Sequence, residues 1–195
     1  KLLIPFFVLM ISLNISSQNG RNGPSLWEEI RANSNLNYDN TKPQIIEALK
    51  KYDSHQYLIN RLSKNGQRYL FYTVSEALKR DLPVELSLIP FIESQFDPYA
   101  QSSTGASGIW QFIPSTAIEN GLKKNWWYDA RRDIVASTEA AYNFLVKLHQ
   151  EHDDWLIAIA AYNAGPSRVR KEIRKNKAKG LPTDFWSLNL PKETK

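Results

Sequence analysis

The sequence contains no cysteine. This absence excludes disulfide bonds, thiolate zinc sites, cysteine nucleophiles and a lipid attached to an N-terminal cysteine, so we do not expect a lipoprotein. Histidine is scarce as well, with only His55, His149 and His152 in the chain. His149 and His152 are three residues apart, but no third ligand accompanies them. We therefore predict no metal site and no cofactor.

Several common catalytic motifs are also missing. The phosphate-binding patterns G-x-x-x-x-G-K-[ST] and G-x-G-x-x-G do not occur. The run from Gly105 to Gly108 begins like a nucleophile elbow, but Ile109 stands where G-x-S-x-G requires a glycine. Carboxylate chemistry is what remains.

The composition is that of one globular domain. The chain has 195 residues, of which 42% are hydrophobic and 23% are charged. A net charge of +5 suits an anionic partner, but it also lies in the range that merely keeps a domain soluble. Aromatic residues make up 12% of the chain and include six tryptophans, which serve either as core or as surfaces for sugars and nucleobases.

The N-terminus has the order of regions of a secretory signal. One lysine precedes an apolar run from Leu2 to Ile15, and small polar residues follow. The run is short for a membrane span, and Pro5 weakens the alternative of a buried core helix. We expect residues 1–17 to be a signal peptide cut after Ser17, and the protein to act outside the cytoplasm.

The rest of the chain predicts an all-α fold. Helical spacing or start and stop signals mark residues 27–32, 42–51, 57–79 with a break at Gly66, 84–93 with an interruption at Pro90, and 115–120. Asp133 and Asp154 are candidate N-caps of two further helices, the second ended by Gly165-Pro166. The basic segment 168–180 reads as a solvated helix face rather than a polyanion site.

One carboxyl group stands out. Glu93 follows Phe91 and Ile92, and apolar surroundings help a carboxylic acid to keep a proton near neutral pH. A proton donor in a sugar-sized groove suggests cleavage of a glycosidic bond, for which most enzymes need a second carboxylate. The nearest, Asp97, precedes Pro98 and is typical of a turn.

Two nearby stretches offer polar groups and a close backbone approach. Gly105 and Gly108 would let a bulky polymer come near, while a second stretch, 161–165, ends a buried helix with two polar side chains. Each residue alone has an ordinary structural explanation, but their order and spacing together favour a site. The candidates for hydrogen bonds are Ser102, Ser103, Thr104, Gln111, Tyr162 and Asn163.

This ordered set resembles the lytic transglycosylases of the soluble-lytic-transglycosylase, goose-lysozyme-like superfamily. The matching motifs are Glu93-Ser94, the G-x-x-G-[apolar]-W-Q run from Gly105 to Gln111, and AYNAG from Ala161 to Gly165. The flanks NWWYDARRDIVASTEAAYNFL and GLPTDFW look like the membrane-bound lytic murein transglycosylase D branch. The resemblance implies a lysozyme-like catalytic domain at 81–180, an N-terminal helical extension at 18–80 and a C-terminal segment at 181–195 that we expect to be cut short.

The resemblance also implies a mechanism. Glu93 would be the sole catalytic acid and base, cleaving the β-1,4 bond between N-acetylmuramic acid and N-acetylglucosamine of peptidoglycan and leaving a 1,6-anhydro end. Ser102, Thr104, the Ile109 backbone and Gln111 would line the sugar groove. Tyr162 and Asn163 would lie near the acid, with Tyr162 holding its carboxylate.

Two alternatives remain open. A goose-type muramidase would use water, positioned by Asp97, and a peptidoglycan-binding protein would keep the fold without the chemistry. Nucleic-acid binding is excluded by the export signal and by the lack of a recognition motif. We expect a monomer in the periplasm or cell envelope, touching the membrane only if the signal segment stays uncut.

Overall fold

The computed structural model describes residues 25–36, 41–43, 45–47, 66–192 and 194. Within these residues the only β-pairing consists of isolated bridges, such as that of Gln101 with Ser107. The prediction of an all-α fold is therefore confirmed. The helices are α1 (Leu26–Ala32), α2 (Gln67–Lys79), a 3₁₀ helix (Val84–Leu88), α3 (Ile89–Ser94), α4 (Pro114–Glu119), α5 (Ile134–His152), α6 (Trp155–Ala164) and α7 (Pro166–Ala178).

Two predicted elements lie partly outside the described residues, and the signal segment 1–17 lies wholly outside them. In the predicted helix 42–51, residues 43 and 45–47 are helical. In the predicted helix 57–79, the described part is α2, which begins directly after Gly66. No helix in the described part of the chain is long and apolar enough to cross a membrane.

The helices α5 and α6 form the centre of the domain. Both begin at the predicted caps, since the Asp133 carboxylate accepts from the Ala136 N–H at 3.0 Å and Asp154 accepts from the Leu156 N–H at 2.7 Å. Helix α6 packs between α5 and α7, and every residue from Leu156 to Ala161 is buried. The prediction of a buried helix is thus confirmed.

The predicted helix 84–93 consists of two elements. The 3₁₀ helix ends at Leu88, and α3 starts at Ile89 with Pro90 in its first turn. Proline lacks an N–H and clashes inside a helix, but it fits a first turn, where no intrahelical partner is needed. Pro90 therefore begins a new helix rather than kinking a long one.

A buried glutamate connects the N-terminal part of the chain to this region. Glu85 is fully buried, and its Oε1 accepts from the Ser34 hydroxyl at 2.6 Å and from the Leu36 N–H at 3.0 Å. Because a buried carboxylate is costly unless it is hydrogen-bonded, these two contacts fix residues 34–36 against the 3₁₀ helix.

The basic segment forms most of α7. Only Val169, Glu172 and Asn176 of this helix are buried, and its lysines face solvent. The predicted helix face is thus solvent-exposed, and the choice of a solvated face over a polyanion site stays a prediction.

The cap of α5 predicts a dependence of stability on pH. The Ala136 N–H, together with the Tyr128 hydroxyl, lowers the pKa of Asp133 below its ordinary value. Because the folded-state pKa lies below the unfolded value of about 4, this stabilisation is complete above pH 4 or so and is lost as the pH falls through the folded-state pKa.

We expect Asp133→Asn, which keeps a good cap without a titrating group, to remove this part of the pH dependence. The measurement is the free energy of unfolding by urea at several acidic pH values. Tyr128→Phe should weaken the dependence without abolishing it. Identical pH curves for the wild type and Asp133→Asn would contradict the assignment.

Candidate active site

Glu93 lies in the last turn of α3, which is held rigidly. The helix ends abruptly, because Gln95 and Phe96 both have left-handed backbone angles, with φ of 57° and 58°. Phe96 is 1% exposed and anchors the chain there. The Ser94 hydroxyl donates to the Ile109 carbonyl at 2.9 Å. These contacts fix the end of α3 against the loop that follows.

The Glu93 side chain opens into a cleft of about 270 Å³. One wall is the loop 110–113 with Thr116 of α4, and the other is Phe144 of α5 with the junction of α6 and α7, residues 162–166. Among the lining residues that the structure describes, Glu93 is the only carboxylate. The described part of the cleft therefore presents a single acid between largely apolar walls.

The end of α6 supplies polar groups next to this acid. Asn163 donates from Nδ2 to the Glu93 Oε1 at 3.2 Å, and the Tyr162 hydroxyl donates to the Trp110 carbonyl at 2.8 Å. We expected Tyr162 to hold the Glu93 carboxylate. This expectation is wrong as a hydrogen bond from the Tyr162 hydroxyl, which donates elsewhere. A phenol has one proton to donate, and here the Trp110 carbonyl receives it.

The pKa of Tyr162 nevertheless depends on Glu93. Burial raises the pKa of Tyr162 well above its ordinary value, and the negative charge of Glu93 raises it further. Its ring packs against Phe112 and Phe144, with centroids 6.0 Å and 5.7 Å away. Tyr162 therefore stays protonated and fixes the cleft wall at Trp110.

The remaining predicted site residues lie in the loop 100–112. Ser102 accepts the Ala106 N–H at 3.0 Å and pairs with the Thr104 hydroxyl at 2.9 Å, while Ile109 is fully buried. These three residues are not part of the cleft lining. Gln111 does line the cleft, and its Nε2 donates to the Gly108 carbonyl at 2.8 Å.

Gly108 has a different purpose from the one we expected. We attributed this glycine to the close approach of a polymer, but the crowded neighbour is the protein itself. A Cβ on Gly108 would lie 1.7 Å from the Arg131 carbonyl oxygen, and φ at this position is +81°. Only glycine fits here, because the backbone of residue 131 passes so close.

Arg131 is a site-building residue that the sequence did not reveal. It is 4% exposed, and its NH1 donates to the Gly105 carbonyl at 2.7 Å and the Phe112 carbonyl at 3.2 Å. The other side of its guanidinium pairs with Asp129, with NH2 and Oδ2 2.6 Å apart. The hydrogen bond from Arg131 lowers the pKa of Asp129. The sequence did not indicate this role, because the run DARRD at 129–133 is typical of a solvated charged segment.

Asp97 does not approach the cleft. It is exposed, and its Oδ1 accepts the Tyr99 N–H at 2.8 Å, which is the turn expected from Asp97-Pro98. In the described part of the chain, no group of three His, Asp or Glu side chains is placed to hold a metal ion.

A helical domain with the acid Glu93 in a cleft between α3 and α6 defines a lysozyme-like class of protein. Residues 73–184 match the family described as "Transglycosylase SLT domain", and the chain belongs to this family. Its mostly helical architecture is the all-α, lysozyme-like fold predicted from the sequence.

Curated relatives agree with this assignment. The chain is 48% identical over 153 residues to membrane-bound lytic murein transglycosylase D of Escherichia coli strain K12, covering 78% of this chain and 34% of the relative. It is 32% identical over 108 residues to membrane-bound lytic murein transglycosylase F of Desulfosudis oleivorans, covering 52% of this chain and 22% of the relative. The chain thus spans about a third of the first relative's length.

Gly108→Ala should destabilise the fold strongly. The added methyl group meets a backbone carbonyl that cannot yield, in addition to adopting a left-handed conformation, so we expect a loss of about 4 kcal/mol or more. Gly121→Ala is the matched control, since φ there is +79° and nothing lies within 4 Å of the added Cβ. It should cost only about 1 to 2 kcal/mol. Equal losses in thermal unfolding would show that crowding at Arg131 is unimportant.

Arg131→Lys should also be damaging, although the charge is kept. Lysine cannot reproduce the planar fork that reaches two carbonyls and a carboxylate at once, so we expect a loss of about 2 kcal/mol or more in unfolding free energy. Arg168→Lys, at an exposed position of α7, should change stability by less than about 0.5 kcal/mol. Urea unfolding compares the two variants, and similar small losses would refute the role given to Arg131.

Proposed function

We propose that this protein is a peptidoglycan lytic transglycosylase, cleaving the β-1,4 bond between N-acetylmuramic acid and N-acetylglucosamine without water. The observation that carries the proposal is the Glu93 carboxyl group, the only one among the described residues that line the cleft, with Asn163 donating to its Oε1. Membership of the SLT family and the names of the relatives, which are murein transglycosylases, support it.

In the first step Glu93 acts as the general acid. It donates its proton to the oxygen that bridges the two sugars, and the bond from that oxygen to C1 of N-acetylmuramic acid breaks. The leaving sugar departs with a hydroxyl group at C4. The described residues that line the cleft supply no second carboxylate, so the acetamido oxygen of the substrate supports the positive charge that develops at C1.

In the second step the ionised Glu93 acts as the general base. It takes the proton from the C6 hydroxyl of N-acetylmuramic acid, and O6 forms a bond to C1 of the same sugar. The ring closes as a 1,6-anhydro product, and Glu93 regains the proton it gave up. No water is consumed, and the residue is ready for another cycle.

The other predicted site residues divide into two groups in this proposal. Gln111, Tyr162 and Asn163 act at the cleft itself, where they line the walls around Glu93. Ser102, Thr104 and the Ile109 backbone belong to the loop that leads to Gln111, and we propose that this loop meets the glycan farther from the acid. The enzyme needs no cofactor for this chemistry.

The muramidase alternative is less well supported. It requires a carboxylate that positions a water molecule, but Asp97 is exposed and turned toward its own backbone. The alternative of a binding protein without activity is opposed by the intact acid and its amide partner. No feature of the described cleft favours the muramidase or the binding protein over the transglycosylase.

We also propose that the protein acts in the cell envelope, on peptidoglycan strands and as a monomer. The export signal predicted at 1–17 and the names of the relatives support this location. The catalytic domain at 81–180 would work with the helical extension at 18–80 and with the segment 181–195.

Glu93→Gln should abolish cleavage, since glutamine can neither donate nor take the proton that both steps need. We expect the rate to fall by about a thousandfold or more, while the melting temperature and binding to purified peptidoglycan change little. Glu119→Gln, the same change at an exposed site of α4, should leave the rate unchanged.

Mass spectrometry of the released muropeptides decides between the proposals. Anhydro-muramic ends, lighter by one water than hydrolytic products and missing with Glu93→Gln, would support the transglycosylase. Reducing ends would indicate a muramidase. Binding of peptidoglycan by the wild type without any release of muropeptides would support the alternative of a binding protein without activity.

A further inference from the structure

The chain beyond α7 folds back onto the domain. Asn176 of α7 donates from Nδ2 to the Pro182 carbonyl at 2.8 Å and to the Ser187 carbonyl at 3.0 Å. Phe185 and Leu188 are 1% and 0% exposed, so they anchor the returning segment in the core. These contacts determine where the following residues lie.

The returning segment brings Thr194 to the active site. Thr194 is 1% exposed, and its hydroxyl donates to the Asn163 Oδ1 at 2.8 Å. The same Asn163 donates from Nδ2 to the Glu93 Oε1 at 3.2 Å. Two hydrogen bonds in series therefore run from Thr194 through Asn163 to the acid.

The direction of these two bonds follows from the chemistry of the amide. A carboxylate only accepts hydrogen bonds, so the NH₂ end of Asn163 must face Glu93. The carbonyl end then faces away and requires a donor, which the Thr194 hydroxyl supplies. Without this donor the half-buried amide oxygen loses its partner in the protein, and rotation of the amide by half a turn would place oxygen against oxygen at Glu93.

We propose that Thr194 is a positioning residue for catalysis, which holds the Asn163 amide so that its donor end stays on Glu93 during both proton transfers. This inference rests on the proposed function. It assigns a role to a residue beyond position 184, where the family match ends.

The test compares Thr194→Val with Thr194→Ser. Valine keeps the size of threonine and loses only the hydroxyl, so kcat on soluble glycan strands should fall about fivefold while KM stays within about twofold. Serine keeps the hydroxyl and should restore most of kcat. Ser187→Ala is the control, because it deletes an exposed hydroxyl of the same segment and should leave kcat unchanged.

A double-mutant cycle with Asn163→Ala separates positioning from general destabilisation. If Thr194 acts through Asn163, then Thr194→Val should have no further effect on kcat once the amide is gone. Additive losses, or a loss that Thr194→Ser does not restore, would overturn the inference.

A second measurement does not depend on activity. The side-chain NH₂ signals of Asn163, identified by their disappearance in Asn163→Ala, should shift in the ¹H–¹⁵N spectrum of Thr194→Val and stay nearly in place in Thr194→Ser. Unchanged signals in Thr194→Val would overturn the inference. If the wild type releases no anhydro products, the proposed function fails, and the spectra still decide whether Thr194 orients the amide.

Discussion

The buried guanidinium of Arg131 is the interaction on which the site depends. It bridges the two sides of the loop 105–112 through the carbonyls of Gly105 and Phe112, and Asp129 balances its charge. A buried cation is costly when it is unpaired, so the loss of any of these partners should destabilise the fold. The glycine at 108 lets the backbone of residue 131 come close enough for the bridge to form. The cleft wall at Gln111 follows from this geometry.

The opposite wall depends on helix α6, whose burial on all sides leaves little freedom to its last turn. Tyr162 reaches across the cleft to the Trp110 carbonyl, and the Trp110 indole in turn donates to the Thr138 hydroxyl of α5 at 3.0 Å. Both walls are thus fixed by hydrogen bonds between elements far apart in sequence. Glu93 meets preorganised partners, which is the usual basis of electrostatic catalysis.

The sequence allowed the helices, their caps and the acid to be predicted, because these features depend on local spacing. Asp133 and Asp154 cap helices where the pattern indicates, and Glu93 lies in the cleft with Gln111, Tyr162 and Asn163. The partners of these side chains could not be predicted. Whether the Tyr162 hydroxyl meets Glu93 or Trp110, and whether Arg131 faces solvent or a loop, depends on packing between distant segments.

The most direct test of the proposed mechanism is to digest peptidoglycan in water labelled with heavy oxygen and to measure the masses of the released muropeptides by mass spectrometry. The proposed mechanism predicts that the label does not enter the products, because the C6 hydroxyl of the substrate, rather than water, attacks C1. Heavy oxygen at C1 of N-acetylmuramic acid would contradict it, since a water molecule would then have to be activated in a cleft where Glu93 is the one carboxylate that the described lining residues supply.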